Sequence, residues 1–84
     1  MKVDPELEQT LKRAPQEKIA VIVHVQGDPA QRVGSIESLG LSVTRVFRLT
    51  NTLAVHGVAL GVSQLVAQPW VIKIESDRQI TTQR

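Results

Sequence analysis

The apolar positions of this chain change period several times, and each change marks an element. From Lys18 to Val25 the alternation is strict: Ile19, Val21, Val23 and Val25 point one way, and Ala20, Ile22 and His24 the other. Such alternation predicts a half-buried strand. Upstream, Leu7, Leu11 and Ala14 recur at helical spacing, with Glu8 one turn before Lys12. Asp4 suits the cap of this helix, Pro5 its first position, and Pro15 ends it. A helix over residues 4–14 is too short to stand alone, so it must dock on the domain.

After a Gln26-Gly27 turn, Asp28 caps a second helix, with Gln31 placed for a capping box. Ala30, Val33, Ile36 or Glu37 and Leu39 follow its face, and Gly40 is the left-handed stop. Residues 41–49 predict a second strand of imperfect alternation. Arg45 shares a parity with Leu41, Val43, Phe47 and Leu49, so a bulge is expected within residues 44–46. Thr50-Asn51-Thr52 forms the hairpin turn, and residues 53–58 a third strand. A helix over residues 60–67 turns Val62, Leu65 and Val66 inward, and Gln68-Pro69 stops it. The last strand, residues 70–75, is expected to turn Trp70, Ile72 and Ile74 inward and Val71, Lys73 and Glu75 outward.

The order β-α-β-β-α-β, after the N-terminal helix, predicts an α+β domain of ferredoxin-like type. It has a four-stranded antiparallel sheet with both helices on one face. The organisation expected is an N-terminal helical extension over residues 1–17, the domain over 18–77, and a C-terminal tail over 78–84. The other sheet face is lined by Ala20, Ile22, His24, Ala54, His56, Val58, Val71 and Lys73, with the N-terminal helix as a candidate partial cover.

Eighty-four residues support one domain with a modest core. Cysteine is absent, which removes disulfides and thiolate chemistry. The net charge is +2, and the ten basic residues are scattered rather than gathered on one face. With Phe47 and Trp70 the only aromatics, the chain lacks the platform that stacks nucleic-acid bases. No apolar run approaches the roughly 20 residues that span a bilayer, and no signal-like core follows Met1. Neither nucleic acid nor a membrane is an expected partner.

No constellation for catalysis or cofactor binding stands out, so the chain is read as a non-enzyme with no cofactor. His24 and His56 alone make a poor metal site. Gly57-Val58-Ala59-Leu60-Gly61 lacks the lysine and spacing of a phosphate loop, so its glycines ease a strand-to-helix turn. A metallochaperone needs a cysteine pair, and an acyl phosphatase needs an arginine-bearing loop where Gln26-Gly27-Asp28 stands. At the other end, Pro69-Trp70-Val71-Ile72-Lys73-Ile74 runs into Glu75 and Asp77 and then into the tail. A bare strand exit would leave these carboxylates solvated.

The pieces Lys18-Ile19-Ala20-Val21-Ile22-Val23, Leu39-Gly40-Leu41-Ser42-Val43 and Phe47-Arg48-Leu49-Thr50-Asn51-Thr52-Leu53-Ala54-Val55, in this order, resemble the propeptide domains of subtilisin-like serine proteases and their stand-alone inhibitor relatives. So does the stretch from Gln64 through Pro69 to the acidic strand end at Glu75 and Asp77. The resemblance covers residues 18–84. It implies an inhibitor, or a prodomain acting as an intramolecular chaperone, that packs its open sheet face on two parallel helices of the protease. Glu75 and Asp77 would cap those helices, and the tail would lie substrate-like in the cleft. Ile80 would fill the apolar pocket four residues before the cut, with Thr81 and Thr82 following. Gln83 would enter the primary pocket, or Arg84 if the register slips by one. The free chain is expected as a monomer, cytoplasmic if complete and extracellular if a separated prodomain. A small-molecule-sensing or self-associating module is the alternative.

Overall fold

The computed structural model describes Val3 and residues 5–77. Its elements are α1 (Pro5–Arg13), β1 (Lys18–Val25), a 3-10 turn (Pro29–Arg32) leading into α2 (Val33–Glu37), β2 (Ser42–Phe47), β3 (Thr52–Val58), α3 (Ala59–Val66) and β4 (Val71–Ser76). The strands form one antiparallel sheet in the order β2-β3-β1-β4, so the α+β architecture is as the pattern predicts. Asp4, expected as the α1 cap, lies outside the described residues.

One face of the sheet carries the core. Val21 and Val23 of β1, Leu53 and Val55 of β3 and Ile74 of β4 pack with Ile36 of α2 and Val62 and Leu65 of α3, all essentially inaccessible. Leu7 and Leu11 of α1 join the same cluster, and α1 lies beside α3. The N-terminal helix is thus part of the helical layer. It does not cover the opposite face, because the leucine stripe finds its apolar partners only where α3 already packs. Val3 adds a parallel bridge to Ile74 on the outer edge of β4.

The α1–β1 connection also completes α3. Val58, at its N-cap, offers no side-chain bond. Instead the Ala59 amide donates to the Glu17 carbonyl at 2.9 Å and the Leu60 amide to the Pro15 carbonyl at 2.8 Å. Two of the amides that a helix start leaves unpaired are satisfied this way.

Elsewhere the caps are local. Asp28 accepts from the Ala30 amide at 3.0 Å, while Gln31 returns its backbone amide to the Asp28 carbonyl. Gly40 takes the left-handed φ of 85° expected of a stop. Arg32 donates to the Gln26 carbonyl and stacks 5.1 Å from the Trp70 ring, tying the β1 exit to the β4 entry.

Leu41 explains two glycines that the sequence assigns only to a turn. A Cβ at Gly57 would stand 2.5 Å from Leu41 Cδ2 and 3.3 Å from its Cα. One at Gly61 would stand 2.9 Å from the same methyl and 3.1 Å from the Leu39 carbonyl. Bare backbone at both positions lets Leu41 lie buried against the β3–α3 junction.

Three expectations are corrected. The second strand is shorter than residues 41–49: Leu41 precedes it, and Leu49 lies fully exposed in the turn. The predicted bulge is present, with register shifting between Val43 and Arg45, so Thr44 is the extra residue. A second bulge, with Ile72 of β4 as the extra residue opposite His24 and Val25, was not predicted. It reverses the β4 assignment at its start: Val71 is buried with Ile74, while Ile72 is exposed. Trp70 precedes the strand and is partly buried against the core.

Gly57→Ala should cost about 1–3 kcal/mol by overpacking Leu41. Leu7→Ala should cost about 2–4 kcal/mol, because α1 belongs to the core. Urea denaturation measures both, and a loss near zero for Leu7→Ala would show α1 to be dispensable.

Candidate functional site

Period-two alternation and the strand register set out the uncovered face as three rows across all four strands, with Lys18 and Val58 paired beyond them on β1 and β3. The first is Phe47, Thr52, His24 and Lys73, with exposed Ile72 alongside. The second is Arg45, Ala54, Ile22 and Glu75. The third is Ser42, His56 and Ala20, completed by Asp77, whose amide donates to the Ala20 carbonyl at 3.0 Å. Glu75 and Asp77 therefore share this face two residues apart at the exit of β4, as their spacing predicts. The other predicted contact residues, Ile80, Thr81, Thr82, Gln83 and Arg84, lie outside the described residues.

The middle row is charged at its two ends and apolar between them. Ile22, Thr44, Arg45, Phe47, Ala54 and Asp77 surround a shallow hollow of ≈ 280 Å³. The Thr44 hydroxyl donates to the Ala54 carbonyl at 3.1 Å and fixes the bulge beneath it. Arg45 and Phe47 are among the members that sequence reasoning left off this face. The signal was present: one extra residue at Thr44 converts their inward parity to an outward one.

The two carboxylates differ in their surroundings. Glu75 Oε2 lies 3.0 Å from Lys73 Nζ and 3.3 Å from His24 Nε2. The hydrogen bond and positive charge of Lys73 hold the Glu75 carboxyl below its ordinary pKa, against a smaller desolvation effect and with a lesser contribution from His24. His24 Nε2 is shielded from solvent and makes no hydrogen bond of acceptable geometry. Its contact with Glu75 is an ion pair when the ring is charged. Asp77 makes no ion pair among the described residues.

His24 and His56 are on the same face but two rows apart on neighbouring strands, about 13 Å along the sheet. That separation is too great for one metal ion. Among the described residues no three of His, Asp and Glu gather as a metal site requires. Arg45, Lys73, Glu75 and Asp77 stand on the rim of the face, and Ala54, Ile22 and Ala20 with Thr52, His24 and His56 at its centre.

No protein-family model matches the chain, and no curated protein matches it significantly.

The lowered Glu75 pKa has a definite sign. Its ion pair stabilises the fold above the unfolded carboxylate pKa, and the stabilisation is lost as pH falls through the lower folded value. Because the pair is half-exposed, the effect should stay under about 1 kcal/mol. Acid-side urea titrations should show a shallower loss for Glu75→Gln than for the wild type, and identical slopes would refute the pairing.

Proposed function

We propose that this chain inhibits a subtilisin-like serine protease, or assists one to fold as a prodomain, by docking its uncovered sheet face and laying its C-terminal tail in the active-site cleft. The observation that carries the reading is that Glu75 and Asp77 share the uncovered face where β4 ends and the tail begins. The order β2-β3-β1-β4, with α2 and α3 joining the strands, supports the ferredoxin-like reading of the fold. Of the stretches that resemble the family, residues 47–55 run through the β2–β3 hairpin, and residues 64–77 from the end of α3 through β4.

The chemistry is that of a helix start. Its free amides and positive dipole end favour a carboxylate, and two carboxylates on one flat face suit two neighbouring helices. Asp77 is the freer of the pair. Glu75 must share its charge with Lys73, so its contribution to docking is smaller. The tail adds main-chain hydrogen bonds to cleft strands, with Ile80 in the apolar pocket and Thr81 and Thr82 leading to Gln83, or Arg84, at the primary pocket. No group of the chain takes part in bond-making. A partner that binds only the folded protease also lowers its free energy, which is the chaperone role.

Titration into a subtilisin assay should give stoichiometric loss of activity. Removing residues 79–84 should raise the inhibition constant at least about 100-fold, as the cleft hydrogen bonds go with them. Asp77→Ala should weaken inhibition about tenfold, the size of a charge at a helix end, and Glu75→Ala by about threefold. An inhibition constant unchanged by the tail deletion would overturn the cleft mechanism, and absence of any inhibition would overturn the reading itself.

A further inference from the structure

The three rows of the uncovered face carry unlike groups on opposite edges, and this gives the surface a partner independent of any protease. Arg45 stands on β2 at one end of the middle row and Glu75 on β4 at the other, about 14 Å apart across the sheet. Between them lie only Ala54 and Ile22. We infer that a second copy of this chain docks on this face, sheet to sheet, about a two-fold axis parallel to the strands.

Sheets that pack face to face keep their strands within about 30° of alignment, and a symmetric dimer uses the same patch twice. Two axes satisfy both conditions. An axis perpendicular to the strands sets each strand on its own copy. It pairs Lys73 with the partner's Asp77, but opposes Arg45 to the partner's Arg45 and Glu75 to the partner's Glu75. An axis along the strands instead sets β2 on the copy's β4, row against row. Arg45 then meets the partner's Glu75, and Phe47 meets the partner's Lys73 in cation–π fashion. Ala54 meets the partner's Ile22, a small residue against a branched one, and Ser42 offers its hydroxyl to the partner's Asp77. No like charges face each other in this arrangement, and each pairing occurs twice.

The footprint is small. Four strands and three rows bury on the order of 1,000 Å² in total, at the low end for specific interfaces. The dimer is therefore weak, with a Kd on the order of 100 µM. The expected monomer is the dilute form. Because the interface covers Glu75 and Asp77, the dimer and the proposed protease complex exclude each other.

Sedimentation of the full chain from about 10 µM to about 1 mM, which brackets that Kd, tests the inference without any protease. The mean mass should rise from 9.3 kDa toward twice that value, less so at high salt. Arg45→Glu sets acid against acid and should weaken association at least tenfold. Adding Glu75→Arg to it reverses both charges and should restore association to within about threefold of the wild type. A mass that stays at the monomer value, an Arg45→Glu chain that associates as the wild type does, or a folded double variant that stays monomeric would each overturn the inference. A measurement on the wild type alone guards against a double variant that does not fold. On dilution, amide shifts should move at Ile22, Arg45 and Ala54 and stay still at Leu7, Leu11 and Leu65. The opposite pattern would place the contact on the helices and refute the sheet interface.

Discussion

A four-stranded sheet whose apolar cover, among the described residues, lies on one side is the constraint from which the rest of this molecule follows. Val21, Val23, Leu53, Val55 and Ile74 are sealed against the helices, and burial on that side fixes the register of every strand, because a slip of one residue would turn each of them to water. Fixing the register in turn decides which residues stand on the far side, and in what rows. The uncovered face is thus as strictly ordered as the core, although little packs upon it.

The two bulges are where this ordering is adjusted. Without the extra residue at Thr44, Arg45 would point into the helical layer as an unpaired charge, which is far costlier than a local kink. The extra residue at Ile72 of β4, opposite His24 and Val25, brings Val71 inside and leaves Ile72 exposed. Each device keeps the core apolar and, as a by-product, adds a side chain to the far face.

Much of the fold was legible because local period and tertiary burial agree. The clean alternation of β1, the stop at Gly40 and the irregularity near Thr44 each reflect a choice made within a few residues. What escaped depends on distant partners. Whether Val71 or Ile72 faces inward is decided by an extra residue at Ile72, whose place is set by pairing with β1, a strand distant in sequence. The docking side of α1 is decided by α3, since a leucine stripe specifies an apolar neighbour but not which one. Gly57 and Gly61 read as turn glycines until Leu41 is seen lying against them. At the site, the spacing of Glu75 and Asp77 sufficed to place both on one face. The difference between them was hidden, because it rests on Lys73 and His24 converging on a single oxygen. As proposed, a protease and a second copy would compete for this face, so each association would weaken the other by mass action.

The carbonyls of Pro15 and Glu17 that receive the first amides of α3 have a kinetic meaning. These bonds close a loop that contains three of the four strands, so they form only when the chain between them is already folded. The start of α3, where isolated helices ordinarily fray, is thereby tied to the global transition. Its amide hydrogens should exchange with solvent through cooperative unfolding of the whole domain rather than by local opening. The connection that looks like a mere spacer between the first helix and the first strand acts as the clasp of the folding unit.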